Sequence, residues 1–179
     1  MLAIGGKEMI LHKMLQRSAF FQNLSDEQLV ALSHIARSLE YRRGEYLFHE
    51  GTPADSLYLI ISGRVELEIR IDAGSAVAVV EVLGTGDLVG WSAIVEPYLY
   101  TSSGRCVQPT TVIAIDGPGL RDLLSRDPVL GREVYREVAH IVARRLRGTR
   151  VRLTRWLHAT EEALTGEASR SKPASDQDI

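Results

Sequence analysis

The spacing of apolar residues changes twice along the chain, from a helical period to a period of two and back again. At the N-terminus, Met9, Ile10 and Met14 recur at helical spacing between about Lys7 and Phe20. Residues three and four apart lie on one face of an α-helix. This segment is therefore predicted to be a short amphipathic helix.

A second helix is predicted directly after the first. Ser25 is followed three residues later by Gln28, which is the arrangement of a capping box, and Leu24 stands where a hydrophobic staple would pack. The helix is expected to end near Arg37, and its apolar stripe consists of Leu29, Leu32 and Ile35.

Between Leu39 and Asp116 the pattern becomes that of short strands separated by glycine turns. Strands at this spacing, with no helical crossover between them, indicate an antiparallel β-roll or jelly roll and not a parallel sheet. The predicted strands cover residues 46–48, 57–61, 65–71, 76–83, 104–107 and 110–115.

Helical spacing returns at Gly119. A short helix is predicted to stop before Asp127, which would cap a long helix with Pro128 at its first position. The long helix is expected to reach about Leu157, with an apolar stripe of Leu130, Val134, Val138, Ile141, Val142 and Leu146. The predicted fold is α+β and mainly β. Residues 1–126 form the N-terminal helices and the roll, 127–164 the long helix and its extension, and 165–179 a disordered tail.

Composition narrows the class of protein. The chain has 179 residues, of which 45% are hydrophobic and 25% charged, enough for one domain with a core. A net charge of -2 gives no overall attraction to nucleic acid or anionic membrane. The sequence contains neither an apolar run of the roughly 20 residues that cross a bilayer nor a signal peptide. Its single cysteine excludes an intrachain disulfide, so a cytoplasmic location without membrane contact is expected.

An ordered series of turn motifs gives the roll a family resemblance. The stretch from Phe21 to about Leu153 resembles the sensor half of the catabolite-activator and fumarate-nitrate-regulator family, in which a β-roll binds a cyclic nucleotide. No single motif is specific, and the resemblance depends on their order and spacing. The matching residues are Gly44, Glu45, Phe48 and Gly51, then Tyr58, Ile60, Gly63 and Val65 (Y-x-I-x-x-G-x-V), then Gly84, Gly86, Asp87 and Gly90 (G-x-G-D-x-x-G).

The resemblance also implies a ligand cassette, the segment that follows G-x-G-D-x-x-G. In the family a short helix there presents backbone N–H groups to the cyclic phosphate, an arginine pairs with the phosphate, and a glutamate holds the ribose hydroxyl. This chain has Trp91 at the glutamate position and Tyr100 at the arginine position, with Thr101 beside it. Neither aromatic residue can replace its counterpart, because Trp only donates and neutral Tyr carries no positive charge. Arg105 would face away from Tyr100 on a strand, unless the loop from Pro97 to Ser103 aligns differently.

Three interpretations of this cassette remain open. The two aromatic residues either fill the former ligand space as core, or line a pocket for a flatter or less charged ligand; binding of a cyclic nucleotide would need a rearranged loop. Losing two charge-assisted contacts of about 1.5–3 kcal/mol each predicts weak or absent cyclic AMP binding, and no cofactor is expected. The candidate ligand-binding residues are Gly86, Asp87, Leu88, Gly90, Trp91, Ser92, Tyr100, Thr101 and Ser102, followed by Ser103.

The long helix has two candidate roles. The resemblance implies that its part from Pro128 to Leu153 pairs with a second copy in a homodimer, and the alternative is that its stripe packs only on its own roll. Its end is basic, which either opposes the helix dipole as a solvated face or gives non-specific binding to nucleic acid or an acidic protein partner. The arginines are Arg144, Arg145, Arg147, Arg150, Arg152 and Arg155.

Other functions find little support in the sequence. In transcription factors of the family a helix-turn-helix domain follows this helix, and residues from His158 to Ile179 lack the apolar content for one, so sequence-specific DNA binding is not expected unless the chain is part of a longer protein. The histidines show no metal-binding pattern, and neither His49 nor Cys106 is expected to bind haem. No catalytic motif occurs. The sequence predicts a non-enzymatic, stand-alone sensor that binds a ligand other than cyclic AMP and signals through its terminal helix; the alternative is a ligandless homodimeric interaction scaffold.

Overall fold

Residues 6–71 and 76–170 are described by the computed structural model, in which the chain forms two compact units, Met1–Val138 and Ala139–Ile179. Within the described residues, eight strands form two four-stranded antiparallel sheets. Four α-helices accompany them, the last of which is long. The predicted antiparallel β-roll with N-terminal helices and a long C-terminal helix is therefore confirmed.

Each of the two sheets combines strands from the early and the late part of the roll. The first sheet contains, in spatial order, β1 (Ala36–Tyr41), β8 (Thr110–Asp116), β3 (Ser56–Ser62) and β6 (Leu88–Val89). The second contains β2 (Tyr46–Phe48), β7 (Ser103–Cys106), β4 (Val65–Arg70) and β5 (Val77–Leu83). Strands β3 and β8 supply much of the core, with Leu57, Leu59, Ile60, Ile113 and Ile115 at most 1% exposed.

Strands β1 and β6 were not predicted. The second helix ends at His34, and β1 begins at Ala36 because its six residues pair with β8, 69 to 79 positions away. Strand β6 has two residues, which pair with Tyr58 and Leu59, and is too short to show a period of its own. At both places, pairing with a distant strand decides the secondary structure, and local sequence patterns do not predict it.

The N-terminal helix α1 (Gly6–Gln16) buries a different face from the one predicted. Leu11 is 8% exposed and Leu15 is fully buried, whereas Met9 and Ile10 are 47% and 60% exposed. The helix also ends before the expected limit, and a separate 3₁₀ turn, Ala19–Phe21, follows it. The apolar residues of this helix can form two stripes. The stripe that packs into the core contains Leu11 and Leu15, each one position beyond a member of the predicted stripe.

The predicted helix caps are confirmed. Helix α2 (Asp26–His34) begins with a capping box in which the Gln28 N–H donates to Ser25 Oγ at 3.2 Å and the Ser25 N–H donates to Gln28 Oε1 at 3.0 Å. Helix α3 (Gly117–Arg126) has a cap that was not predicted, Asp116, which accepts from the Gly119 N–H at 2.8 Å. Asp127 in turn accepts from two N–H groups in the first turn of α4 (Pro128–Arg170). Hydrogen bonds from the Leu130 N–H and from the Gln28 side chain lower the pKa of Asp127, because they favour its charged form.

Helix α4 extends beyond the limit expected for it. It continues to Arg170, six residues into the segment predicted to be a disordered tail; the rest of that tail, residues 171–179, lies outside the described residues. Leu130, Val134 and Val138 are at most 5% exposed within the first unit, whereas Leu146 is 51% exposed. None of the helices in the described ranges combines the length and the apolarity needed to cross a bilayer.

Candidate functional site

A closed turn leads the chain into the cassette. Asp87 Oδ2 accepts from the Gly84 N–H at 2.9 Å, and the Asp87 N–H donates back to the Gly84 carbonyl at 3.0 Å. Gly86 has a φ of +87° and donates its N–H to the Ile60 carbonyl at 2.8 Å. Leu88 follows in β6 and is 2% exposed. Asp87 therefore closes the turn through its hydrogen bonds, and Gly86 allows the chain to reverse direction there. Leu88 contributes to the core.

Gly90 places the cassette directly against the interior of the roll. It has a φ of +81° and precedes a four-residue 3₁₀ helix, Trp91–Ile94, hereafter the cassette helix. A Cβ at Gly90 would lie 2.9 Å from the Ser56 carbonyl oxygen and 3.2 and 3.3 Å from the rings of Tyr100 and Tyr58. A residue other than glycine at position 90 would be strained by the positive φ and would clash with these neighbours.

The cassette helix is mostly buried. Ser92, Ala93 and Ile94 are at most 5% exposed, and Trp91 is half-buried. Trp91 therefore offers the surface part of its indole at the position where the family resemblance places a glutamate.

Tyr100 is part of an aromatic stack inside the roll. The ring centroids of Tyr100 and Phe48 are 4.0 Å apart, and the angle between the ring planes is 15°. The ring centroids of Phe48 and Tyr58 are 5.8 Å apart, with an interplanar angle of 26°. The Tyr100 hydroxyl donates to the Ser56 carbonyl at 2.8 Å and accepts from the Ser56 N–H at 3.1 Å. Burial, with the neighbouring Tyr58, raises the pKa of Tyr100 well above its ordinary value. At the position where the family resemblance implies an arginine, the chain therefore has a phenol that is 4% exposed and whose hydroxyl is bound to the protein's own backbone.

The segment around Tyr100 is anchored to the turn at residues 51–54. The Gly51 N–H donates to the Tyr100 carbonyl at 2.8 Å, the Tyr100 N–H to the Thr52 carbonyl at 3.0 Å, and the Ala54 N–H to the Tyr98 carbonyl at 2.8 Å. The chain then returns to the surface, with Thr101 exposed and Ser102 half-buried, and Ser103 Oγ accepts from the Glu50 N–H. Of the predicted residues, Gly90 and Tyr100 come into contact, while Thr101 and Ser102 lie at the periphery.

Arg105 belongs to a separate ionic cluster, made of Tyr46, Glu66, Glu68 and Arg105. Its Nε donates to Glu68 Oε1 at 2.5 Å and its Nη2 to Glu66 Oε2 at 2.8 Å. The Tyr46 hydroxyl donates to the second oxygen of Glu68 at 3.2 Å, and Glu68 is 4% exposed. The hydrogen bond that Arg105 donates to Glu68 raises the pKa of Arg105, because it favours the charged guanidinium. Sequence reasoning missed this cluster, although acidic residues two apart on β4 were a usable signal for a shared face.

Two contacts tie the cassette helix to helices α3 and α4, and neither was predicted. Arg121 Nη1 of α3 donates to the Ala93 carbonyl at 2.6 Å, and its guanidinium lies 4.3 Å from the centre of the Tyr98 ring. The Tyr135 hydroxyl of α4 donates to the Ile94 carbonyl at 3.4 Å. These partners are 28 and 41 residues apart in sequence, beyond the reach of any local pattern. In the described part of the chain, no group of three or more His, Cys, Asp or Glu side chains is arranged to hold a metal ion.

Comparison with known proteins agrees with this architecture. Residues 38–127 match the profile of the cyclic nucleotide-binding domain. The chain is 30% identical over 139 residues to the CRP-like cAMP-activated global transcriptional regulator of Mycobacterium tuberculosis, covering 78% of this chain and 60% of that protein. It is 31% identical over 131 residues to the cyclic AMP receptor protein of Thermus thermophilus, covering 73% and 58%. The chain thus spans less than two thirds of the length of these relatives.

A solved structure extends the comparison to three dimensions. A putative cyclic nucleotide-binding protein from Geobacter metallireducens superposes with a TM-score of 0.67 at 33% identity, covering 75% of this chain and 96% of that one.

Proposed function

The chain belongs to the cyclic nucleotide-binding domain family, and on that premise we propose that it is a ligand-responsive regulatory module whose ligand is not cyclic AMP. The names of the two bacterial relatives refer to cyclic AMP, which makes this nucleotide the first alternative to test. The observation that carries the proposal is the position of Tyr100, buried in the aromatic stack with its hydroxyl bound to Ser56.

A cyclic phosphate needs a cation at this place, and the nearby residues argue against one. Tyr100 is neutral, since burial raises its pKa, and its hydroxyl is already engaged. Arg105 is engaged by two carboxylates on another face of the strand. A missing charge-assisted hydrogen bond of about 1.5–3 kcal/mol corresponds to roughly ten- to a hundredfold in affinity. With Trp91 in place of a glutamate as well, the expected affinity for cyclic AMP falls by several orders of magnitude.

The groups that remain favour a flatter or less charged ligand. The half-buried indole of Trp91 offers an aromatic face, and the hydroxyls of Thr101 and Ser102 lie towards the surface beyond Tyr100. Small-molecule sites commonly combine apolar walls with a few polar groups of this kind.

A route from the cassette to the helices supports a regulatory role over a purely structural one. Arg121 and Tyr135 hold the last two carbonyls of the cassette helix, Ala93 and Ile94. A displacement of the cassette helix would therefore strain contacts in both α3 and the start of α4. Such a pair of contacts gives a bound ligand a means of biasing α4 between two positions.

The proposed output is homodimerisation or partner binding through α4. The first members of the predicted stripe, Leu130, Val134 and Val138, are buried within a single chain and are not available to a partner. Leu146 and Val151 are each about half exposed, so pairing with a second copy would begin beyond Val138.

A thermal-shift screen tests the proposal, since a ligand of the folded state raises the melting temperature. Cyclic nucleotides, cyclic dinucleotides and uncharged aromatic metabolites are tested at about 1 mM, a concentration that reveals even weak ligands. We expect no shift with cyclic AMP and a shift with at least one less charged compound. Low-micromolar affinity for cyclic AMP by calorimetry would overturn the proposal.

The two tryptophans allow the binding site to be identified. Trp156→Phe leaves Trp91 as the single tryptophan, and its fluorescence should change when a compound from the screen binds. Trp91→Phe is the matched control and should lose that change. If no compound shifts the melting temperature while light scattering shows a dimer, the ligandless scaffold replaces the sensor.

A further inference from the structure

The second part of helix α4 has a two-sided sequence pattern over residues 142–157, hereafter the basic segment. Successive positions on a helix are about 100° apart, so its large apolar residues, Val151 excepted, fall within roughly 100° of one another around the axis. They are Val142, Leu146, Leu153, Trp156 and Leu157. The remaining arc holds the arginines at 144, 145, 147, 150, 152 and 155. The basic segment therefore has one apolar stripe with arginines on either side of it.

The stripe has the spacing of a coiled-coil seam. Steps of four and three residues alternate along it, as positions d and a of a heptad do, through Val142, Leu146, Thr149, Leu153 and Trp156. A stripe limited to these positions is the narrow seam between two helices, whereas a helix that lies on a membrane buries a whole apolar face. Leu146 is 51% exposed, and Thr149 is exposed as well. The pattern therefore favours a second helix as the occupant of the stripe.

The charges that border the stripe argue against a second copy of this chain as that helix. In the same heptad register Arg145 and Arg152 occupy position g, and Arg150 occupies position e. Charges at e and g select the partner of a coiled coil, because they face the e and g positions of the other helix. A parallel pair of copies would place Arg145 of one chain opposite Arg150 of the other. Residues 138–160 contain no Asp or Glu, so this part of a second copy offers no carboxylate in exchange.

We propose that the basic segment forms a two-helix coiled coil with an acidic helix of a partner protein, which has apolar residues at a and d and glutamates at e and g. Glutamates opposite Arg145, Arg150 and Arg152 turn the repulsion between two copies into ion pairs. The inference rests on the proposed output through α4 and specifies the kind of partner that binds there.

Fluorescence anisotropy with the full chain and two labelled synthetic peptides tests this inference. The glutamate peptide consists of about four heptads with Ile at a, Leu at d and Glu at e and g, and the lysine peptide has Lys in place of each Glu. The salt concentration is about 150 mM, at which a Debye length of roughly 8 Å screens distant charges. We expect the glutamate peptide to bind at least about tenfold more tightly than the lysine peptide. Because no cassette ligand is added, failure of this assay is separate from failure of the thermal-shift screen.

Two charge-reversed variants separate the heptad positions from general basicity. Arg150→Glu/Arg152→Glu changes one e and one g position; it should lower the affinity for the glutamate peptide about tenfold and raise the affinity for the lysine peptide. Arg144→Glu/Arg147→Glu is the matched control, with the same change of charge at positions f and b, away from the stripe. It should leave the preference between the peptides unchanged. Circular dichroism should show the same melting temperature for both variants.

The apolar part of the seam is tested by Leu146→Asp, which should abolish binding of the glutamate peptide. The inference is overturned if the wild-type chain binds neither peptide, or if the control variant loses as much affinity as Arg150→Glu/Arg152→Glu. Binding to anionic phosphatidylserine vesicles but not to the glutamate peptide would overturn it in favour of a membrane. A homodimer that Leu146→Asp dissociates and an excess of the glutamate peptide does not would overturn it in favour of a second copy.

Discussion

Strand β7 separates two regions of opposite chemistry, the aromatic stack and the ionic cluster. At Gly104 the missing side chain leaves room for Phe48, since a Cβ there would lie 2.9 Å from its ring. One residue later, Arg105 pairs with Glu66 and Glu68. Neighbouring side chains on a strand point to opposite faces, so a step of one residue changes an apolar environment into a charged one.

The difference supports the proposal that Arg105 does not act as a phosphate-binding arginine in the cassette. Arg105 is five residues from Tyr100, yet binding a ligand in the roll would require it to leave two carboxylates. Glu68 would then remain buried without a cation, which is costly. Charge pairing on one face of the sheet thus limits what the other face can bind.

The largest effect is expected in the aromatic stack. Phe48→Ala should lower the free energy of unfolding by about 3–5 kcal/mol, because it removes the middle ring and leaves a cavity. Phe48→Leu keeps most of the apolar volume and should cost less than about 1.5 kcal/mol. Urea unfolding measures both, and a loss below about 1 kcal/mol for Phe48→Ala would show that the stack is not a packed core.

Substitution in the ionic cluster should lower the free energy of unfolding less than substitution in the aromatic stack. A second substitution should restore most of the loss. Among the described residues, Arg105→Met leaves the buried Glu68 carboxylate with the Tyr46 hydroxyl as its hydrogen-bond partner and should cost about 1–3 kcal/mol. Adding Glu68→Leu should recover most of this loss, because an apolar pair of similar size avoids the buried charge. If the double variant is less stable than Arg105→Met alone, the two residues do not act as a pair. Neither variant should change the affinity of a cassette ligand.

Removing one tyrosine hydroxyl from each of the two regions should have smaller effects on the free energy of unfolding. Tyr100→Phe removes the hydrogen bonds to Ser56 in a buried place and should cost about 1–2 kcal/mol at neutral pH. Tyr46→Phe removes a hydrogen bond to Glu68 from a side chain that is 37% exposed, where water can replace it, and should cost less. Equal losses measured by urea unfolding would contradict the distinction between the two faces.

Alkaline unfolding provides the control for Tyr100. Because its pKa is raised in the folded chain, the unfolded chain loses the phenol proton first, at about pH 10. Stability is therefore complete below that pH and falls above it, by up to about 1.4 kcal/mol per pH unit. Tyr100→Phe should flatten this decline; an unchanged slope would show that the phenol is accessible to hydroxide.

Much of the framework could be predicted because its signals are local. The capping box at Ser25 and the Asp127 cap depend on hydrogen bonds to residues within three positions. The turn glycines at 86 and 90 adopt positive φ, which few other residues tolerate. The candidate site was predictable only in outline. The positions of Gly90, Trp91 and Tyr100 followed from motif spacing, whereas the hydroxyl partner of Tyr100 and the contacts of Arg121 and Tyr135 did not.

By itself, the sequence determined the strand–turn framework, the helix caps and the concentration of arginines in α4, because each depends on residues close together in the chain. The tertiary structure alone decided which face of α1 is buried, that β1 pairs with β8, and that Arg105 joins two glutamates. These contacts join residues tens of positions apart, as Gln28 and Asp127 are joined across 99. Their geometry is set by how strands and helices pack, and no local period encodes that information.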